Sequence, residues 1–252
     1  MSNQTLTVLV VGSTGSIGTQ VVAEAVRAGH RTRALVRNPR RGNRLNPKAQ
    51  IVVGQLTDAG TLAEAVEGVD AVIFTHGSSD GEGVNYGAVR NVLDALHGKP
   101  VRIALMTSIG VTQRHDMTDW KRRGERLVRA SGNAYTIVRP GWFDANASDE
   151  QRIVMRQGDT RWTGSPADGA ISRREIARVL VDSLTQPGAE RRTLELVAER
   201  GAEQPDLGAV FAALAPDATG SIDGVLDSAT LPIENEPQRI LDDLERFGRP
   251  AS

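Results

Sequence analysis

Short apolar runs alternate with longer amphipathic stretches along the first 141 residues of the chain. The apolar runs are rich in β-branched side chains, which is typical of buried strands. They predict six strands: Leu6–Val11, Thr32–Val36, Ile51–Gly54, Asp70–Thr75, Val101–Ser108 and Ala134–Gly141. The intervening stretches have helical spacing and predict four helices: Ile17–Gly29, Asp58–Gly68, Val84–Gly98 and Thr118–Gly132. Alternating strands and helices require right-handed crossovers, so we expect an α/β fold with a doubly wound parallel sheet between two helix layers.

The alternation loosens after Trp142. Helical spacing returns in Ile171–Gly188, where Ser172 and Glu175 have the spacing of a capping box. The remaining predicted elements are one strand and two helices: Arg192–Ala198, Leu207–Pro216 and Glu236–Gly248. The linker before the last helix, Asp217–Asn235, is rich in turn residues, and we expect either a mobile cap or an arm that contacts a partner.

Length and composition restrict the possible functions. The 252 residues fit a single domain, in which we expect residues 1–141 to form the core and residues 142–252 a smaller region that caps the site. A formal net charge of -1 gives no reason to expect nucleic acid or membrane as a partner. The chain has no cysteines, so disulfides, thiolate catalysis and cysteine-based metal sites are excluded, and we predict no metal site. No signal-peptide pattern and no membrane-length apolar run occur, so the expected location is cytoplasmic.

The segment Gly12–Gly18 follows the first predicted strand and opens the first predicted helix. Its glycines suit three needs of a diphosphate-binding loop: Gly12 allows the tight turn, Gly15 a close approach of the diphosphate, and Gly18 close packing of the helix on the sheet. The helix N-terminus adds free N–H groups and a partial positive charge. The spacing is G-x-x-G-x-x-G rather than G-x-G-x-x-G, and a purely structural glycine turn is the alternative.

The end of the second predicted strand distinguishes NAD from NADP. An NAD site places an acid about 20 residues after the glycines to hold the ribose hydroxyls. Arg37 stands there instead, and no Asp or Glu occurs from Arg31 to Lys48. A guanidinium binds a 2′-phosphate in fork geometry, so Arg37 favours NADP(H) over NAD(H). The other basic residues of this window share that role or form a solvated basic loop: Arg31, Arg33, Arg40, Arg41, Arg44 and Lys48.

Seven segments together match one protein family. They are "VLVVGSTGSIGTQVV", "ALVRNPRR", "VVGQLTD", "DAVIFTHGS", "LMTSIGVT", "WKRRGERLVRASGNAYTIVRPGWF" and "ISRREIARVLVDSL". In this order they resemble the atypical short-chain dehydrogenase/reductases, which are NAD(P)-binding proteins grouped with NmrA-like and biliverdin-reductase-B-like proteins. The resemblance covers about Leu6 to Ala198 and is specific for the superfamily rather than for a substrate. It implies a Rossmann-type sheet with a small C-terminal part that caps the substrate.

The resemblance assigns cofactor contacts to residues that follow the strands. The diphosphate loop would consist of Gly12, Ser13, Thr14, Gly15, Ser16, Ile17 and Gly18. The other contacts would be Arg37 at the 2′-phosphate, Gln55 and Leu56 at the adenine, Thr75, His76 and Gly77 beside the ribose, and Arg139, Pro140, Gly141 and Trp142 at the nicotinamide amide. The family usually has aspartate where this chain has Gln55, and the glutamine amide is still able to bond to the ring.

The proton donor that the family pattern implies is missing. Lys121 matches the lysine of the family's Tyr-x-x-x-Lys motif, in which it binds the nicotinamide ribose, and Ser108 stands in the place of the catalytic serine. The motif tyrosine would be residue 117, where the chain has Met117. A well-placed proton donor is worth about 10²–10⁴ in rate. His115 is the candidate substitute because histidine titrates near neutrality, and a surface position without a role in proton transfer is the alternative.

Other aromatic residues near the predicted site have two interpretations each. Tyr86 and Tyr135 are the only tyrosines of the chain. We expect both to pack in or beside the core, although Tyr86 could border the site. Trp120 and Trp142 either wall a flat substrate or pack against the fold.

Three functions are compatible with these residues. We favour an NADPH-dependent oxidoreductase that transfers hydride to a small acceptor, such as a quinone, a flavin or a conjugated carbonyl, with the proton coming from water or His115. The alternative is a non-catalytic NADP(H)-binding sensor or regulator. A sugar-nucleotide epimerase or dehydratase is disfavoured by the short C-terminal part and the missing tyrosine. We expect a small-molecule substrate and a monomer, or a homodimer that pairs through the helix Thr118–Gly132.

Overall fold

The computed structural model describes residues 4–248. Within this range the strands are β1 (Thr7–Val11), β2 (Arg31–Val36), β3 (Gln50–Val53), β4 (Ala71–Phe74), β5 (Arg102–Met106), β6 (Ala134–Pro140), β7 (Trp142–Phe143), β8 (Arg152–Arg156), β9 (Ala170–Ile171) and β10 (Arg192–Glu199). The α-helices are α1 (Ser16–Arg27), α2 (Pro39–Gly42), α3 (Ala63–Val66), α4 (Gly87–Leu96), α5 (Asp116–Ala130), α6 (Arg173–Asp182), α7 (Gly208–Ala212) and α8 (Gln238–Gly248). None of these helices combines the length and the apolar character needed to span a membrane.

The central sheet is parallel and doubly wound. Its parallel strands follow the order β3-β2-β1-β4-β5-β6-β10. The short strands β8 and β9 pair antiparallel with β10, and β7 pairs with β9. The strand order reverses between β1 and β4, and in such sheets the ligand site lies at the carboxyl ends of the strands beside the reversal. The predicted α/β fold with a Rossmann-type parallel sheet is confirmed.

Successive residues of β1 pack into two separate helix layers. Val8 and Val10 are buried with residues of α1 and α6 on one face, whereas Leu9 and Val11 are buried with residues of α4 and α5 on the other. A parallel sheet that is covered on both faces explains why its strands are continuous apolar runs. Because α6 and β10 lie beyond residue 141, the region expected to cap the site also completes the sheet and one helix layer.

One predicted helix has a different form in the structure. The stretch Asp58–Gly68 folds as a 3₁₀ turn, Ala59–Thr61, followed by the short α3. The Asp58 carboxylate accepts a hydrogen bond of 3.0 Å from the Gly60 N–H. Such side-chain bonding to the local backbone competes with the helix ladder, and glycine is a poor helix former. The helix signal in this stretch therefore produces only one short α-helix.

Residues 217–235 pack against α5 and β6 of the same chain rather than extending from the fold. Contact of this segment with a partner stays a prediction. Carboxylates of this segment and of the adjoining Glu236 pair with buried arginines of α5 and β6. The pairs are Arg122–Asp223 (3.1 Å), Arg126–Asp223 (2.9 Å), Arg126–Glu236 (2.8 Å), Arg129–Asp217 (3.4 Å) and Arg139–Asp227 (2.6 Å). A buried charge is strongly unfavourable without a partner, so these ion pairs fix the segment in place.

The helix α8 covers the outer side of α5. Ile240 of α8 is fully buried in the core layer that contains α4 and α5. The Tyr86 hydroxyl donates a hydrogen bond of 2.7 Å to the Asp243 carboxylate of α8. The chain's own C-terminal region therefore occupies a surface of α5, and a homodimer that paired through this surface would first have to displace α8. The oligomeric state itself stays a prediction.

Candidate functional site

Two adjoining cavities open at the carboxyl ends of the strands. The first cavity, about 580 Å³, is lined by residues that follow β1, β2, β3 and β4. The second cavity, about 470 Å³, is lined by residues that follow β5 and β6. Ser108 and Phe143 line both cavities, so the two join at these side chains. A ligand in one cavity would therefore meet a ligand in the other beside the Ser108 hydroxyl.

The glycine loop of the first cavity has the geometry of a phosphate cradle. Gly12 adopts a φ of +82°, which favours glycine, and a Cβ there would lie 2.7 Å from the His76 backbone nitrogen. Gly15 is the extended N-cap residue of α1. Within the described part of the chain, no side chain caps this helix, and its first turn contains no acid. The unpaired N–H groups and the partial positive charge of α1 are therefore available to a bound anion.

Five of the seven predicted loop residues line the first cavity: Gly12, Thr14, Gly15, Ser16 and Ile17. The other two residues fasten the loop to the sheet. Ser13 is buried, and its hydroxyl donates a hydrogen bond of 2.5 Å to the Leu35 carbonyl. Gly18 lies so close to the Gly12 carbonyl that no Cβ would fit between them, as its predicted packing role requires. Ser13 thus supports the loop from behind and does not face the cavity.

Two unpaired arginines lie beside the end of β2. Arg37 and Arg41 line the first cavity, are exposed, and have no side-chain hydrogen bond or ion pair with any residue in the range 4–248. No Asp or Glu is among the described residues that line this cavity. Arg33 differs, because its guanidinium donates to the carbonyls of Ala65 and Glu67 at 3.3 and 2.5 Å. Arg37 and Arg41 therefore provide the positive charge that a 2′-phosphate requires.

The loop after β4 and the residues after β3 complete the first cavity. The predicted cofactor residues that line it here are Gln55, Leu56, Thr75, His76 and Gly77. The Thr75 hydroxyl donates to the Val11 carbonyl at 3.0 Å, which ties the two central strands together at the site. His76 Nε2 lies 3.3 Å from the Asn85 carbonyl, and its Nδ1 has no partner among the described residues. Burial lowers the pKa of His76 to about 4, so the ring is neutral near pH 7.

Ser108 and Lys121 form a hydrogen-bonded pair where the cavities join. Lys121 Nζ donates to Ser108 Oγ at 3.1 Å. Burial lowers the pKa of Lys121, although the charge of Glu125 acts in the opposite direction. Glu125 is itself fixed, because it accepts a hydrogen bond of 2.7 Å from the Thr107 hydroxyl and pairs with Arg139 at 2.6 Å. Arg139, predicted beside the nicotinamide, is thus a buried support of the Ser108–Lys121 pair rather than a cavity residue.

The other candidate proton donors lie outside both cavities. His115 is exposed, and its Nδ1 accepts a hydrogen bond of 3.3 Å from the Met117 N–H, so it caps the N-terminus of α5. Tyr86 and Tyr135 donate hydrogen bonds to carboxylates of the C-terminal region at 2.7 and 3.0 Å. Neither tyrosine nor His115 lines a cavity. The tyrosines have the packing roles expected of them, and no contact supports proton transfer by His115.

Some residues that line the second cavity were predicted to contact the cofactor, and others were not predicted to belong to the site. Pro140, Gly141 and Trp142, predicted at the nicotinamide, line the second cavity and not the first. Phe143 and Trp162 line it as well, although no site role was predicted for either residue. Large aromatic residues in a polar, turn-rich region are not expected to pack in a core. Their occurrence there could have indicated a binding site.

The sequence matches a known family over most of its length. A family model described as NAD(P)H-binding matches residues 12–187. The chain belongs to this NAD(P)H-binding family. Its resemblance to the atypical short-chain dehydrogenase/reductases is confirmed, and the protein binds NAD(P)H. The first cavity fits this cofactor, since it combines a glycine cradle at a helix N-terminus with arginines that lack carboxylate partners.

Named relatives of this NAD(P)H-binding protein include reductases. The NAD(P)H azoreductase of Xenophilus azovorans is 27% identical over 224 residues, which cover 82% of this chain and 73% of the relative. The (4-alkanoyl-5-oxo-2,5-dihydrofuran-3-yl)methyl phosphate reductase of Streptomyces griseus is 29% identical over 187 residues, 73% of this chain and 65% of the relative. The family is therefore of an oxidoreductase type.

Solved structures show the same fold. A putative NAD-dependent epimerase/dehydratase from Bacillus halodurans has a TM-score of 0.70 and 22% identity. The match covers 83% of this chain and 100% of the other chain. A short-chain dehydrogenase/reductase from Veillonella parvula, in complex with NADP, has a TM-score of 0.61 and 16% identity, over 77% and 95% of the two chains. At these identities the likeness concerns the fold alone.

Proposed function

We propose that the protein is an NADPH-dependent reductase that transfers hydride to a small conjugated acceptor, such as a quinone, a flavin or an enone. The observation that carries this proposal is the Ser108–Lys121 hydrogen bond at the junction of the two cavities. NADPH in the first cavity and an acceptor in the second would meet beside the Ser108 hydroxyl. The reductase relatives support the reaction class.

The bound cofactor supplies the hydride, and the chain's own residues supply the proton. The Ser108 hydroxyl donates its proton to the acceptor atom that becomes negative as the hydride arrives. The Lys121 ammonium, 3.1 Å from Ser108 Oγ, returns a proton to the serine, and solvent reprotonates the lysine. The lowered pKa of Lys121, which its burial causes, makes the ammonium a better donor. The acceptor thus gains one hydride and one proton.

The residues beside β2 support NADPH as the preferred cofactor. Arg37 and Arg41 line the first cavity without carboxylate partners in the described chain. A 2′-phosphate placed there would form charge-assisted hydrogen bonds with a guanidinium. The ribose hydroxyls of NADH would find no acid among the described lining residues to hold them.

The test measures NADPH oxidation with quinones, enones and simple ketones as acceptors. We expect turnover of quinones and enones and little turnover of ketones. Ser108→Ala should lower kcat by about tenfold or more, since it removes the positioned donor, while NADPH affinity stays within about twofold. Lys121→Met should lower kcat and also weaken NADPH binding, because the family pattern places this ammonium at the nicotinamide ribose. Lys99→Met, which changes an exposed lysine outside both cavities, is the matched control.

Two outcomes would contradict the proposal in different ways. Tight NADPH binding without turnover of any acceptor would reject the reductase and favour a non-catalytic NADP(H) sensor. Unchanged kcat in Ser108→Ala, with the parent active, would reject the proton path but leave the reductase standing. Fluorescence titration of NADPH with each variant separates a loss of cofactor binding from a loss of chemistry.

A further inference from the structure

The second cavity gathers the exposed aromatic side chains of the described chain. Within residues 4–248, the phenylalanine, tyrosine and tryptophan residues that are exposed are Trp142, Phe143 and Trp162, at 43%, 37% and 51%. All three line the second cavity. Large apolar side chains that stay exposed at one place, instead of packing in a core, are typical of a binding surface. The flat faces of the rings favour a flat ligand.

The most exposed of these rings is held in position by hydrogen bonds. Trp162 Nε1 donates to the Asp159 carbonyl at 2.6 Å. The Asp159 carboxylate in turn accepts from the Gly110 N–H at 2.7 Å, and from the N–H and the hydroxyl of Thr112 at 2.8 and 2.9 Å. These bonds fasten the Trp162 loop to the loop that follows Ser108. We call Trp142, Phe143 and Trp162 the aromatic wall. Its most exposed member, Trp162, is therefore held in place before a ligand arrives, which lowers the entropy cost of binding.

An unpaired positive charge lies beside the aromatic wall. Arg161 lines the second cavity, is exposed, and has no side-chain hydrogen bond or ion pair with any residue in the range 4–248. Among the described residues, the only acid that lines this cavity is Asp168. Its carboxylate is occupied by backbone N–H groups, those of Thr163 (2.6 Å), Gly164 (2.9 Å) and Ser165 (3.3 Å). The Arg161 guanidinium is thus free to bind an anionic group of a ligand.

We infer that the second cavity selects flat conjugated acceptors that carry an oxyanion, such as a carboxylate or a sulfonate. The ring system packs against Trp142 and Trp162, and the Arg161 guanidinium binds the oxyanion at the rim. The inference deepens the proposed function, on which it rests for the statement that the ligand is reduced. Recognition of the ligand, however, is measurable without any reduction.

The test compares two ligands that accept no hydride and differ in charge. Naphthalene-2-sulfonate carries the oxyanion, and naphthalene-2-sulfonamide is its neutral counterpart. Binding is followed by calorimetry, in the parent protein and in Arg161→Gln, at low and high salt. We expect the parent to prefer the sulfonate by about fivefold to twentyfold, a preference that weakens at high salt. Arg161→Gln should remove the preference and leave sulfonamide affinity unchanged.

Two further variants test the remaining parts of the inference. Trp162→Ala should lower the affinity for both ligands by about tenfold. Trp162→Phe, which keeps an aromatic ring, should retain most of the affinity. Arg31→Gln removes the same charge from an exposed arginine at the start of β2, away from both cavities, and should change neither affinity. Circular dichroism of each variant checks that the fold is intact.

Equal affinity of the parent for the two ligands would overturn the inference, as would a sulfonate preference that survives in Arg161→Gln. A failure of the proposed function gives a different result. A protein that binds the sulfonate through Arg161 but oxidises no NADPH would refute the reductase and leave the specificity of the cavity intact. In an active enzyme, Arg161→Gln should raise KM for a naphthoquinone sulfonate and leave kcat unchanged.

Discussion

Asp227→Asn should destabilise the protein because Asp227 balances a buried charge. The Arg139 side chain is fully buried and that of Asp227 is only 2% exposed. Arg139 Nη1 and Nη2 lie 2.6 and 2.7 Å from the two carboxylate oxygens of Asp227. Removing one partner of a buried ion pair costs about 3–5 kcal/mol. Glu125 stays bonded to Arg139, so we expect about 3 kcal/mol, which would lower Tm by roughly 6–12 °C in a chain of this length.

Denaturant and thermal unfolding at pH 7 measure this loss. The matched control is Asp242→Asn, which makes the same change at an exposed position of α8, where the carboxylate accepts a hydrogen bond from the Gln238 side chain. The control should stay within about 0.5 kcal/mol of the parent. If Asp227→Asn loses no more stability than the control, the idea that the C-terminal segment balances the buried charge of Arg139 is refuted.

The pH dependence gives an independent check on the same pair. Burial alone would raise the pKa of Asp227, but the hydrogen bonds and the charge of Arg139 hold this pKa well below its usual value of 3.8. A depressed carboxyl pKa stabilises the fold above about pH 4, and this stabilisation is lost as the pH falls through the folded-state pKa. The difference in the free energy of unfolding between the parent and Asp227→Asn should therefore shrink below about pH 4. A difference that stays constant down to about pH 2 would contradict the reasoning.

Three further predictions concern the cofactor and one buried acid. Arg37→Asp should weaken NADPH binding by about tenfold to a hundredfold and leave NADH affinity nearly unchanged, as measured by fluorescence titration. Gly15→Val should abolish NADPH binding in calorimetry with little change in Tm, because the added side chain occupies the approach of the diphosphate while its Cβ would lie 3.3 Å from the Gly12 carbonyl. Burial raises the pKa of Glu195 to about 7, against the opposing charge of Arg139, so its contribution to stability is lost as the pH rises from 4.5 through 7. The free energy of unfolding, measured with denaturant, should therefore fall between pH 5 and pH 8 by up to about 3 kcal/mol less in Glu195→Gln than in the parent.

The parts of the site that could be predicted from the sequence are those encoded locally. The Gly12–Gly18 loop stands between one strand and one helix, and each of its glycines meets a backbone requirement within that turn. Arg37 follows directly on β2, so its place at the carboxyl edge follows from the strand alone. Ser13 shows the limit of the local reasoning. Its hydroxyl turns to the Leu35 carbonyl on the neighbouring strand, a contact that depends on how the strands pack.

The C-terminal helices and strand were predicted, as was the capping box of Ser172 and Glu175. The packing of residues 217–236 against α5 could not be predicted, because its contacts join distant parts of the chain. The basic run of α5 has the pattern of a solvated helix face. In the structure, Arg122, Arg126 and Arg129 are buried, and their carboxylate partners in the C-terminal region lie about 90 to 110 residues further along. A single sequence gives no sign that such residues meet. Trp162 was missed for a similar reason, since only the fold brings its loop beside Ser108.

The methionine at position 117 bears on the choice of substrate more than on cofactor binding. The phosphate cradle and the Ser108–Lys121 pair are present in a chain that has no tyrosine at position 117, so these features of the family occur here without its phenol donor. An aliphatic hydroxyl is a weaker acid than a phenol, whose pKa is about 10. Simple carbonyls, whose reduction leaves a localised alkoxide, need a strong donor and are disfavoured most. Acceptors that spread the negative charge over a conjugated system need the donor least, and these are the flat molecules that the aromatic wall of the second cavity suits.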